Sequence, residues 1–122
     1  MCGIVGYTGN KPAQEIVIDS LKKLEYRGYD SSGIALHEGK LVFSKKEGPI
    51  VNLESVLKPS KSNMAIAHTR WATHGVPSDV NSHPHLSNDG KIAVVHNGTI
   101  DNYLDIKSSL EDEGFEFLSE SD

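Results

Sequence analysis

The stretch Cys2-Gly3-Ile4-Val5-Gly6-Tyr7, closed by Thr8-Gly9-Asn10 and followed by Lys11-Pro12-Ala13, decides how the rest of the chain is read. Its short apolar run ending in turn residues predicts a buried strand. Pro12 suits the first position of a helix, where a missing N–H costs little. Ala13, Ile16, Val17, Leu21 and Leu24 then recur at helical spacing. Further on, Gly33 to His37 and Leu41 to Ser44 flank Glu38-Gly39-Lys40 as a hairpin. Val51 to Leu57 reads as a short helix stopped before Pro59. Met64 to Thr69 and Lys91 to His96 read as strands, Asp101 to Glu113 as a helix ending at Gly114, and Phe115 to Leu118 as a last strand. Strands and helices do not alternate strictly, which favours layered α+β packing over a doubly wound parallel sheet. The 13-residue segment from Ala72 to Pro84 carries no such pattern. A long loop inside a compact domain points to function.

The 122 residues are 37% hydrophobic and 24% charged, the balance of a globular domain. A compact fold of this size buries roughly two-thirds of the surface its unfolded chain exposes, so neither disulfides nor metals are required. No apolar run approaches the roughly 20 residues of a membrane helix, so no membrane partner is expected. No basic segment precedes an apolar one at the N-terminus, so no signal peptide is expected. A net charge of −5 with two arginines argues against nucleic acid as a partner. One cysteine makes no internal disulfide, and a cytoplasmic location follows by default. The charge is uneven: residues 1–100 hold 11 Lys/Arg and 9 Asp/Glu (+2), residues 101–122 one Lys and eight acids (−7). Leu104, Ile106, Leu110, Phe115, Phe117 and Leu118 make that acidic end an amphipathic helix and strand rather than a solvated tail.

The single cysteine follows the initiator methionine. An inert buried thiol is the ordinary reading of a lone cysteine, but position 2 alters it. Trimming of Met1 before this small residue leaves Cys2 with a thiol and an α-amine whose reference pKa is about 8, so the amine serves as base for its own nucleophile. The two arginines lie in Tyr26-Arg27-Gly28-Tyr29-Asp30-Ser31 and in His68-Thr69-Arg70-Trp71-Ala72-Thr73-His74-Gly75, at predicted strand ends. Arginine suits bidentate carboxylate recognition, which makes Arg70 a candidate clamp. Asn97-Gly98 is a turn signal on its own, yet it also supplies the side-chain amide and backbone N–H that an oxyanion hole needs. Five of the six histidines fall between 68 and 96, but their spacing matches no zinc pattern, so no metal is expected.

These motifs converge. The sequence resembles the class II (N-terminal nucleophile) glutamine amidotransferases, through Cys2-Gly3-Ile4-Val5-Gly6 and over essentially the whole chain. Tyr26 to Ser31, Thr69 to Gly75, Asn81-Ser82-His83-Pro84-His85 and His96-Asn97-Gly98 resemble the branch that passes ammonia to fructose 6-phosphate. The purine-pathway branch typically carries His-Arg-Gly-Gln in place of Tyr26 to Tyr29. Ser121 and Thr99 depart from the family's usual residues.

The resemblance implies an αββα sandwich of two antiparallel sheets, incomplete over 122 residues because the family's domain is longer. It implies Cys2 as nucleophile, with Asn97 and Gly98 as oxyanion donors. Arg70, Trp71, Thr73 and His74 would hold the carboxylate end of L-glutamine, Asp122 its α-ammonium, and Arg27 would lie beside the thiol. No cofactor is implied; a homo-oligomer is implied for the full enzyme, with fructose 6-phosphate bound in a further domain. The competing readings are the glutaminase domain of another class II amidotransferase and a non-catalytic domain that binds an amino acid through Arg70 and Asp122. Replacing Arg70 with Lys is expected to raise the KM for glutamine strongly; an unchanged KM removes the clamp assignment.

Overall fold

The computed structural model describes residues 1–73 and 75–121; His74 and Asp122, two expected substrate contacts, lie outside the described residues. The fold is α+β. β1 (Gly3–Thr8), β4 (Met64–Arg70), β2 (Ser31–His37) and β3 (Leu41–Glu47) form an antiparallel sheet in the order β1-β4-β2-β3. β5 (His85–Leu86) and β6 (Ala93–Val94) start a second antiparallel sheet. The predicted strand over Lys91 to His96 shrinks to two ladder residues. The turn before it takes Lys91 and Ile92: the Ser87 N–H donates to the Ile92 carbonyl, and Ser87 Oγ accepts from the Ile92 N–H.

Helix α1 (Ala13–Lys23) begins one residue later than Pro12, whose ψ of 125° is not helical. Glu15 in its first turn and Lys22 and Lys23 in its last complement the helix dipole. Its buried stripe of Ala13, Val17, Ile18 and Leu21 meets Ile34 and Leu36 of β2 and Ala65 and Ala67 of β4. Helix α2 (Ile50–Glu54) adds Ile50 and Leu53, and its first N–H donates to Glu25 Oε2 at 2.7 Å. Each fully buried Leu or Ile contributes about 1.5–3 kcal/mol relative to exposure. Both helices therefore occupy one face of the sheet.

Side chains alternate along strands, so Ile4, Gly6, Ser31, Gly33, Ile66, His68 and Arg70 face the other way. The segment before β5 lies on that face. At Gly33 a Cβ atom would run into the His83 carbonyl, so only glycine lets the two backbones meet.

The last elements depart most from expectation. Helix α3 (Tyr103–Asp112) ends as predicted at Gly114, in a Schellman arrangement: Gly114 N–H donates to Glu111 O and Phe115 N–H to Leu110 O. Residues 115–118 are not a strand. Glu116 exchanges both backbone bonds with the Asn88 side chain amide, and Lys107 sits 5.6 Å from the Phe117 ring, so side chains take the place of a ladder. α3 buries none of its residues, and Leu104 and Leu118 are exposed.

Gly33→Ala is expected to cost about 1–3 kcal/mol by displacing the His83 backbone. Gly6→Ala, whose added Cβ meets only Ile66 Cγ2 at 4.0 Å, is expected to change stability by less than about 0.5 kcal/mol. Equal denaturation midpoints for the two variants would contradict the packing described.

Candidate active site

Pairing of Gly3 with Thr69 brings the N-terminus to the end of β4. The Gly3 N–H donates to Thr69 Oγ1 at 3.1 Å, and the Trp71 N–H donates to Cys2 Sγ at 3.3 Å. The Cys2 carbonyl accepts from Arg27 Nε at 3.3 Å and from Asn97 Nδ2 at 3.2 Å. Arg27 and Asn97, 70 residues apart, thus meet at the peptide group of Cys2. Cys2 is half-buried and its thiol free, while Asn97 and Gly98 are exposed. Gly98 has φ +147°, and a Cβ there would press on the His96 ring at 3.3 Å.

The two arginine motifs are latched together by backbone. The Asp30 N–H donates to Arg70 O at 3.1 Å, and Asp30 Oδ2 accepts from the Ala72 N–H at 2.8 Å. Gly28 leaves the room this needs: a Cβ would lie 2.8 Å from the Arg70 carbonyl. Tyr29 and Trp71 stand edge to face with centroids 6.0 Å apart, both half exposed, and Thr73 is exposed. Sequence reasoning quoted Tyr29 and Asp30 within a motif but gave them no role.

Arg70 differs from a free clamp. It is 3% exposed, and its guanidinium donates to Gly75 O at 2.9 Å and Val76 O at 3.2 Å, organising the long loop. Asn81, 2% exposed, donates to the same Val76 carbonyl at 2.9 Å and accepts from the Glu120 N–H at 2.7 Å. Ser121 Oγ meets His85 Nε2 at 2.7 Å. Residues 119–121 are thereby stitched to the loop that Arg70 holds. At the far side of the loop, Asp79 accepts from the Glu47 N–H and pairs with Lys46 at 3.2 Å. Asn81 stands in a quoted motif without a role and Asp79 in none, because nothing in their spacing marks partners 39 and 32 residues away. Two surface concavities, one between Lys46 and Val80 and one over residues 59–63, are not lined by Cys2. Chemistry rather than depth marks the site.

Beneath it lies a stack of imidazoles. His68 and His83 stack with centroids 4.1 Å apart, and His85 tilts against His83 at 4.5 Å. Burial depresses all three: His68 to about 4, His85 to about 4, and His83, which also faces His68 and His85, to about 2. Among the described residues no group of three or more His, Cys, Asp or Glu is arranged to hold a metal ion.

The glutamine amidotransferase domain family matches residues 51–122. The chain belongs to that family. This amidotransferase chain is 55% identical over its whole length to the glutamine–fructose-6-phosphate aminotransferase (isomerizing) of Clostridium acetobutylicum, and 55% to that of Aquifex aeolicus. It covers 21% of each, about a fifth of their length. Among solved structures, the glutamine phosphoribosylpyrophosphate amidotransferase of B. subtilis matches all of the chain over 27% of its own, with TM-score 0.82 and 32% identity. A second structure, an allosteric regulatory enzyme of purine biosynthesis, gives TM-score 0.83 at 32% identity. The amidotransferase fold is that of the N-terminal-nucleophile hydrolases.

The histidine stack sets the acid stability. Its folded pKa values lie below the unfolded 6.5, so the unfolded chain binds protons the folded one refuses. Stability is complete above pH 6.5 and is lost as pH falls from there toward 4, by about 1.4 kcal/mol per pH unit for each proton taken up. Calorimetry is expected to show Tm dropping steeply over that window. A Tm flat from pH 6.5 to 4.5 would contradict the buried, neutral stack.

Proposed function

We propose that Cys2, once Met1 is removed, hydrolyses L-glutamine to glutamate and ammonia. The observation that carries this reading is the convergence on Cys2: Asn97 Nδ2 lies 3.2 Å from its carbonyl across 95 residues of chain, with Trp71 N–H on its sulfur. The α-amine takes the thiol proton, and the sulfur bonds to the side-chain amide carbon. Asn97 Nδ2 and the Gly98 N–H hold the resulting oxyanion; one such donor is worth about 3 kcal/mol. The C–N bond then breaks, the nitrogen leaves as ammonia with the proton the amine held, and a glutamyl thioester remains. Water attacks the thioester, the amine taking its proton, and glutamate departs as the thiol reforms.

Arg70, Trp71, Thr73 and His74 receive the carboxylate end of glutamine and Asp122 its ammonium; Arg27 orients the Cys2 peptide. Arg70 reaches the substrate from a buried position, so glutamine binding and the 75–76 carbonyls draw on one guanidinium. In the full-length protein the ammonia converts fructose 6-phosphate to glucosamine 6-phosphate. The names of relatives at 50–55% identity support this branch over the phosphoribosyl branch, matched at 32%. The chain acts as part of a larger glutaminase domain of a cytoplasmic homo-oligomer, whose remaining polypeptide covers exposed Leu104, Phe115 and Leu118.

With Met1 in place the α-amine belongs to Met1, Cys2 has only an amide nitrogen, and the base is missing. The full-length gene product is therefore expected to hydrolyse glutamine, and to be labelled at Cys2 by diazo-oxo-norleucine, only when mass spectrometry shows Met1 gone. Glutaminase activity in a Met1-retaining preparation overturns the mechanism. An intact, Met1-free protein that is never labelled favours a non-catalytic amino-acid-binding domain.

A further inference from the structure

We propose that His68 and His83 are positioning residues that together fix the oxyanion pair, by holding both backbone polar groups of His96, the residue before Asn97-Gly98. The proposal rests on the glutaminase reading above. His68 Nε2 donates to the His96 carbonyl at 2.9 Å, and the His96 N–H donates to His83 Nδ1 at 3.3 Å. The two rings are stacked within 16° of parallel, so the two bonds come from one rigid unit.

That unit is tied to the sheet. His68 is fully buried in β4, flanked by Ile4 of β1 and Gly33 of β2. The His83 carbonyl lies over Gly33 where a side chain would otherwise stand. Residues 95–98 have little else to place them. Their ladder ends at Val94, Asn97 and Gly98 are exposed, and Asn97 reaches back to Cys2 by one side-chain bond. The path from the central strand to the oxyanion donors runs through two imidazoles and the two peptide groups of His96. The bonds also fix the tautomers. His68 carries its proton on Nε2, leaving a buried Nδ1 without a hydrogen-bond partner among the described residues, and His83 keeps Nδ1 bare. A buried imidazole with an unmatched nitrogen is an expensive way to fill space. A donor held at one point of the backbone accounts for it.

The test uses the Met1-free full-length gene product and isosteric replacements. Gln places its amide where His68 Nε2 stands, and Asn places its carbonyl where His83 Nδ1 stands. Phe fills the space of either ring without the polar atom. His68→Phe and His83→Phe are expected to lower kcat about 100-fold, the effect of losing or misplacing one oxyanion donor. KM for glutamine and the rate of Cys2 alkylation by iodoacetamide, which needs no oxyanion, stay within about threefold. His68→Gln and His83→Asn are expected to retain kcat within about tenfold. If His68→Phe does not fold, His68→Asn, whose short amide cannot reach the Nε2 position, takes its place with the same expectation. Folded Phe variants with unchanged kcat overturn the proposal, as do Gln and Asn variants no better than Phe. A wild type that is alkylated at Cys2 but releases no ammonia fails at the glutaminase reading itself, and the positioning role falls with it.

Discussion

The antiparallel pairing of β1 with β4 is the constraint on which the rest depends. β4 is a central strand, and its partner on one side begins one residue after the cysteine. Six consecutive register pairs therefore fix Cys2 at the end of β4, against Trp71, as firmly as the sheet itself is fixed. Terminal residues ordinarily fray. Here β1 follows directly, so its ladder bonds to β4 hold the residue next to Cys2 in place. On the proposed mechanism, in which Cys2 carries its own base, this placement also sets where that base stands.

The two faces of the sheet divide the labour. One is apolar and takes α1 and α2; the other carries His68, Arg70, Ser31 and the glycine that admits the His83 backbone. Several polar side chains on that side bond to backbone: Arg70 holds the carbonyls of Gly75 and Val76, Asn81 holds Val76 and Glu120, and His68 and His83 hold His96. Loops that lack ladders are positioned in this way by buried side chains rooted in strands. The arrangement leaves Thr73, Asn97 and Gly98 exposed while the peptide groups near them remain placed.

Much of this was legible in the sequence. The strand at Gly3, the Ala13–Leu21 stripe, the hairpin around Gly39 and the helix ending at Gly114 all follow from periodicity and turn chemistry. Cys2, the Tyr26–Ser31 motif, Arg70 and Asn97-Gly98 were marked by unusual residue types at strand ends, and the structure gathers Cys2, Arg27, Trp71 and Asn97 at one point. What could not be read was long-range. The Phe115 to Leu118 run has the apolar content of a strand, but the Asn88 amide satisfies its backbone. The spacing of the histidines matches no zinc pattern and gives no sign of the stack, because register, not spacing, brings His68 onto His83. Arg70 carried the right chemistry for an anion, yet burial gives it loop carbonyls as partners, which no local pattern reveals.

The central claim is that a free N-terminal Cys2 forms a covalent glutamyl intermediate. The most direct measurement is mass spectrometry of the Met1-free full-length protein, acid-quenched during turnover of glutamine. The account predicts a glutamyl thioester on the peptide that begins at Cys2, absent when Met1 is retained. Ammonia released with no adduct on Cys2, or an adduct formed equally with Met1 in place, would contradict it.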